Sequence, residues 1–188
     1  MSVRQQAIQR AQEIVALNPV YLDTETTGID SEAQIIEISI LDSDGSVLVD
    51  SLVRPTLRIP RDATAVHHLT EAMVKDAPIW AQLWPTVEQA LTDRAIAIYN
   101  AEYDHRLMQQ SHRAHRLRWA WPTTSFVCVM LLYAQYRGEW NARHGNYRWH
   151  KLEEAGAQCG LTLPNAHRAQ ADALLARAVL HAMANARG

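Results

Sequence analysis

The chain has 188 residues, 48% of them hydrophobic and 20% charged, with a formal net charge of −2. That length suits one domain with a sizeable core, and the composition is that of an ordinary soluble globular protein. No apolar run approaches a membrane span, Met1–Glu13 lacks the apolar centre of a signal peptide, and Cys128 and Cys159 stand far apart without metal-like spacing, so the expectation is a cytoplasmic protein with two reduced thiols.

Ser2 opens a first helix, with Gln5 completing a capping box and Ala7, Ile8, Ala11, Ile14 and Val15 forming its apolar stripe. Asn18-Pro19 ends it. Val20 to Leu22 reads as the end of a buried strand that runs into Asp23-Thr24-Glu25-Thr26-Thr27-Gly28. A polar turn (28–33) leads to a β-branched strand over 34–42, the tight turn Asp42-Ser43-Asp44-Gly45, and a third strand over 46–53 that closes a hairpin. Residues 55–62 read as loop and 63–69 and 70–75 as short helical pieces, with Thr70 as a cap. A helix over 79–91 follows Pro78, and Pro85 implies a kink or break in it. A short strand over 95–99 meets the cap Asn100 and a helix from 101 to 117. Pro122 reads as loop, 125–129 as strand, 130–136 as helix, 138–148 as polar turns and 149–159 as a helix stopped by Gly160. Pro164 and Asn165 read as loop. The last helix runs from 168 to 184 with Ala171, Leu174, Leu175, Ala178, Val179 and Ala182 inward. A hairpin followed by βα units predicts an α/β domain with a mixed sheet.

The net charge hides an asymmetry. Residues 1–104 carry 7 Lys and Arg against 16 Asp and Glu, a net of −9, and residues 105–188 carry 11 against 4, a net of +7. Such a split suits an acidic site beside a basic surface, although solvated helix faces give the same pattern. Nearly all the cations are Arg, the better fork for phosphate.

Four carboxylates carry the chemistry. Asp23 and Glu25 alternate with Thr24 along a strand, so they share a face. There they raise each other's pKa unless a cation intervenes, and a divalent ion that favours oxygen ligands (Mg²⁺, Mn²⁺ or Ca²⁺) is the natural partner. The alternative is a strand entering an acidic turn. Asp104 lies in the first turn of the helix after a strand, at the carboxyl end where open α/β sheets place their sites; a carboxylate serving the helix macrodipole would sit there too. His167 and Asp172 lie five residues apart, about 500° of helix, so they share no face unless the helix begins after His167.

Asp23-Thr24-Glu25-Thr26-Thr27-Gly28, Asn100-to-Asp104 and His167-to-Asp172 resemble, in order and separation, the three exonuclease motifs of the DEDD superfamily. The His five residues before the last Asp, with Arg168 where the other branch has Tyr, is similar to the DEDDh branch, which holds DnaQ-type proofreading subunits, ribonuclease T and oligoribonuclease. Ala65-Val66-His67-His68-Leu69-Thr70 resembles a further stretch, with His68 replacing Gly. The resemblance spans roughly 20–183, a DnaQ-like core behind the helix of 1–18, the whole chain (1–188) being one exonuclease domain. It implies a ribonuclease-H-like fold with a five-stranded mixed sheet flanked by helices, and 3′→5′ release of nucleoside 5′-monophosphates. It further implies two Mg²⁺ ions, or Mn²⁺ in their place, held by Asp23, Glu25, Asp104 and Asp172, with His167 as general base. Thr26, His67 and Tyr103 would lie against the terminal nucleotide, Tyr103 replacing a common Phe.

The chemistry agrees. Cleaving a phosphodiester needs an activated water, charge relief on the phosphate and a stabilised leaving oxygen; metals serve all three, and an imidazole can accept the proton. No covalent nucleophile is needed, and Ser125 and Cys128 read as core residues of an apolar strand. Residues 136–151 interleave Arg137, Arg143, Arg148 and Lys151 with Trp140, Tyr147 and Trp149, a mixture that suits single-strand binding; the alternative is a Trp149 packed in the core among solvated arginines. Arg106, Arg113, Arg116 and Arg118 form a second basic stretch. The reading is a metal-dependent 3′→5′ exonuclease on DNA, acting on single-stranded 3′ ends. Its alternatives are an RNA exonuclease of the oligoribonuclease or ribonuclease T type and a non-catalytic module that binds nucleic-acid ends. No long tail for docking a polymerase is present, so a stand-alone enzyme is expected.

Overall fold

The structure, a computed structural model, describes residues 1–121, 126–161 and 167–187. Pro122, Ser125, Pro164 and Asn165 lie outside the described residues. In chain order the elements are α1 (Val3–Ala16), β1 (Val20–Thr26), β2 (Ile35–Leu41), β3 (Val47–Leu52), α2 (Arg61–His67), α3 (Glu71–Val74), α4 (Trp80–Leu91), β4 (Ile96–Ile98), α5 (Ala101–Ala114), β5 (Phe126–Cys128), α6 (Val129–Arg137), β6 (Trp140–Asn141), β7 (Asn146–Tyr147), α7 (Leu152–Gln158) and α8 (Ala169–Ala184).

Five strands form one mixed sheet in the order β3-β2-β1-β4-β5. β1 pairs antiparallel with β2 and parallel with β4; β2 pairs antiparallel with β3, and β4 parallel with β5. Helices cover both faces, as parallel pairing requires. The alternation of β1 decides what each face sees. Val20 and Leu22 join the core under α4 and α5, with Trp80, Val87, Leu107 and Met108. Tyr21 points the other way, into the core under α1, α6 and α8. The same alternation, carried two and four residues on, puts Asp23 and Glu25 on the α8 side and Thr24 and Thr26 on the α5 side.

α1 starts at the Ser2–Gln5 capping box: the Ser2 hydroxyl accepts from the Gln5 N–H and the Gln5 side chain accepts from the Ser2 N–H. Several expectations are corrected. Val20–Leu22 begins β1 rather than ending a strand, because β1 runs on through both carboxylates to Thr26. Pro85 does not break α4, which continues from Trp80 to Leu91. Thr70 and Asn100 hold cap positions without a side-chain capping bond. α5 stops at Ala114, three residues early, where Arg116 takes a positive φ of 55°. Residues 138–148 contain a small hairpin, β6 with β7, closed where Gly145 adopts a φ of 64° and donates to the Asn141 carbonyl. α7 begins at Leu152, not at Trp149. The buried stripe of α8 is Ala169, Ala173, Leu175, Ala176, Val179, Leu180 and Met183; Ala171, Leu174, Ala178 and Ala182 are only half-buried.

Candidate active site

The site forms where β1 ends. Asp23 and Glu25 rise from the same face of the strand, and the first turn of α8 brings Asp172 over them. Oxygen atoms of these three side chains lie within 4.8 Å of one another. Between Glu25 and Thr26 the pairing of β1 with β2 shifts register, the kind of irregularity that re-aims side chains beside a site. Asp104 arrives from the opposite layer, in the first turn of α5. It is buried, and the Thr24 hydroxyl donates to its Oδ1 at 2.8 Å. It is therefore outside the tight trio yet close enough that its charge raises the Asp23 pKa.

Each of the four carboxyls titrates above its ordinary range. Desolvation is the largest cause throughout. Asp23 is pushed well up by burial and then by Asp104, Asp172, Glu25 and Glu37. Glu25 is raised to about 8 by burial, Asp172, Glu37 and Asp104, with Arg168 opposing. Asp104 goes to about 7 by burial, against the pull of the Thr24 hydrogen bond. Asp172 goes to about 6 by burial, against the backbone N–H of His167. The cation that helps Glu25 is already engaged: Arg168 forks onto the buried Glu37, its Nε 3.0 and 3.1 Å from the two carboxylate oxygens. A set of hard oxygen donors whose mutual repulsion the protein leaves unrelieved fits divalent cations of the Mg²⁺ and Mn²⁺ kind.

His167 precedes α8, as its spacing to Asp172 requires. It sits at a φ of 69°, its side chain about half exposed, with its N–H donating to Asp172 Oδ2 at 3.2 Å and its Nε2 3.5 Å from Glu153 Oε1. Thr26 Oγ1 lies 2.7 Å from the Tyr103 hydroxyl, and both hydroxyls reach the Gly28 carbonyl, at 2.9 and 3.0 Å. His67 is enclosed, 2% exposed, its Nδ1 accepting the Leu69 N–H; burial lowers its pKa and keeps it neutral. Its Nε2 has no hydrogen-bond partner among the described residues. Cys128 packs half-buried against the core, as expected of its strand, and also borders a surface hollow.

Glu37 is the residue the sequence reading missed. It stands opposite Glu25 in the β1–β2 pairing, accepts the Arg168 fork, and accepts the Ala169 N–H at 3.0 Å. β2 thus grips the first turn of α8, the turn that carries Asp172. The signal was present: Ile35-Ile36-Glu37-Ile38 interrupts an apolar strand with a carboxylate, which a buried strand tolerates only when it is paired.

The exonuclease family model RNase_T matches residues 20–180. The uncharacterized exonuclease CP81 of Escherichia phage 186 is 38% identical over 181 residues, covering 94% of this chain and 93% of that protein. Exodeoxyribonuclease 10 of Escherichia coli (strain K12) is 29% identical over 171 residues, 89% of this chain and 69% of that one. Among solved structures, exonuclease X in complex with 5′ overhanging duplex DNA superposes with a TM-score of 0.64 at 24% identity, over 88% of this chain and 90% of that one, a likeness of fold.

Proposed function

The chain belongs to the RNase_T exonuclease family, the DnaQ-like 3′→5′ exonucleases, and from that premise we propose that it removes single nucleotides from the 3′ ends of DNA by metal-dependent hydrolysis. The observation that carries the mechanism is the carboxylate trio within 4.8 Å at the end of β1, under the turn that also presents His167. Support for DNA comes from relatives named as DNA enzymes, exodeoxyribonuclease 10 among them.

Asp23, Glu25 and Asp172, with Asp104 beside them, would hold two Mg²⁺ ions, or Mn²⁺ in their place. Such ions, when bound, relieve charge on the phosphate and on the leaving oxygen and favour ionisation of water. The residues do the rest. Thr24 fixes the Asp104 carboxylate by donating to it. The His167 ring takes the proton of the attacking water. That water's oxygen forms a bond to phosphorus while the bond from phosphorus to the O3′ of the preceding nucleotide breaks. The released O3′ takes a proton from solvent, leaving a nucleoside 5′-monophosphate and a strand one nucleotide shorter. Thr26 and Tyr103, joined by their hydroxyls, form a wall against the terminal sugar and base.

The test is a digest of matched single-stranded and duplex DNA and RNA, with Mg²⁺, with Mn²⁺ and with chelator. DNA shortened from its 3′ end, only with metal, is expected. RNA degraded far faster than DNA would make this an RNA exonuclease. Binding of ends without cleavage would make it a recognition module.

A further inference from the structure

Trp149 stands in the open, 56% exposed, as the common wall of three hollows. One, of about 240 Å³, lies between Trp149, Leu131, Arg106 and Tyr103. A second, of about 420 Å³, runs from Trp149 past Lys151 to His167. The third, of about 300 Å³, opens beyond it toward Arg148 and His144 on the hairpin. Together they make a track from the site outward, and Trp149 is at its middle.

The indole is exposed because its neighbours are fixed. The Arg148 N–H donates to the Glu139 carbonyl at 2.8 Å, and the Arg148 guanidinium reaches both Glu139 and Glu154. His150 is buried, its Nδ1 3.0 Å from Glu154 and its carbonyl accepting the Tyr99 hydroxyl at 2.9 Å. Tyr99 adjoins the end of β4, the strand that leads into Asp104. With Arg148 and His150 held on either side, the side chain between them, Trp149, faces outward. An aromatic ring flanked by cationic heads, Arg106 and Lys151, matches the bases and phosphates of a single strand: every base offers a face to stack on, and each phosphate a charge to meet.

We propose that Trp149 is a stacking platform for a base upstream of the terminal nucleotide, a subsite that grips the strand that remains after each cut. This inference rests on the exonuclease reading. It explains why Tyr103 and His167 open onto hollows that share one ring, and why that ring lies off the carboxylates rather than over them.

The experiment compares the parent with Trp149→Ala and Trp149→Phe. Three substrates are used with Mn²⁺: the p-nitrophenyl ester of thymidine 5′-monophosphate, an eight-nucleotide strand, and the same strand with an abasic site second from the 3′ end and another third. Trp149→Ala is expected to raise KM for the intact strand by about 10-fold, the scale of one lost stacking contact. The ester, which has no upstream base, should be turned over as by the parent. The abasic strand should cost the parent the same factor and Trp149→Ala nothing more. Trp149→Phe should recover most of the loss. An unchanged KM on the intact strand, or an equal loss on the ester, overturns the proposal. A parent that cleaves nothing refutes the exonuclease reading instead. Anisotropy of the 5′-fluorescein strand with chelator then decides the subsite alone: weaker binding by Trp149→Ala upholds it, equal binding overturns it.

Discussion

Asp23, Glu25 and Asp172 repel one another in surroundings that already disfavour charge, so each holds its proton to higher pH than a free carboxyl would. Replacing them by neutral isosteres removes that repulsion along with the oxygen atoms proposed to hold metal. Asp23→Asn, Glu25→Gln and Asp172→Asn should each lose most turnover while melting no lower than the parent in chelator; near-parental turnover in any one removes that residue from the site. His167 should behave differently. Its N–H to Asp172 belongs to the backbone and survives substitution, so His167→Asn, which also tolerates the positive φ, should lower turnover by about 10²–10⁴-fold. Calorimetric Mn²⁺ affinity should stay nearly unchanged. Loss of affinity would make His167 a ligand rather than the base. The pairing of Asp23 with Glu25 was legible in the sequence because a period of two needs no tertiary knowledge. Glu37 was not, because its partner Arg168 lies 131 positions away and nothing local announces the contact.

At the scale of elements, β2 and α8 meet through one buried carboxylate. Arg168→Ala leaves Glu37 enclosed with the Ala169 N–H alone. Because Arg168 is itself half exposed, the cost should be about 1–3 kcal/mol rather than the full value of a buried pair. For a chain of this size that is about 2–4 °C in Tm per kcal/mol. Arg168→Lys should recover only part, since an ammonium cannot reproduce the fork. Turnover should fall with stability, as Asp172 sits in the turn that the grip holds; a melting temperature unchanged in Arg168→Ala would show the fork to be ornamental. α8 also shows where periodicity stops informing. Alanines surround the helix, so spacing placed Leu175 and Val179 inward correctly but not Ala171, Leu174, Ala178 and Ala182; the Glu37 anchor and the packing of Ala169, Ala173 and Ala176 set the side that faces the sheet. The β6–β7 hairpin was equally silent, since strands of two residues have no period to read. Arg148 and His150 are both held by Glu139 and Glu154, α7 begins only at Leu152, and Trp149 stays outside.

Across the whole molecule, the acidic half and the basic half meet at the site. No helix among the described residues is long and apolar enough to cross a membrane. Strand binding should weaken steeply with salt, as phosphate contacts do. Reversing Arg143 and Lys151 should weaken it more than reversing Arg4, which is stacked on Tyr136, and Arg10, which is paired with Glu13; equal effects would reduce the basic stretch to a solvated face. Stability should depend on pH in a sense opposite to that of salt-bridged carboxylates. Groups raised in the folded state bind more protons folded than unfolded, so their contribution is full below the ordinary carboxyl range and lost as pH rises through about 6 to about 8. Without metal, Tm should fall over that window, and Mg²⁺ or Mn²⁺ should reverse the fall most at its upper end, where the ligands are free of protons. A metal-free Tm that rises from pH 5 to 8 would contradict the assignment. The most direct measurement is the product. Single-stranded DNA digested with Mg²⁺ should yield nucleoside 5′-monophosphates and a ladder that shortens one nucleotide at a time from the 3′ end, with no reaction in chelator. Internal fragments, release from the 5′ end, or cleavage that persists in chelator would contradict a carboxylate-held, metal-dependent 3′→5′ exonuclease.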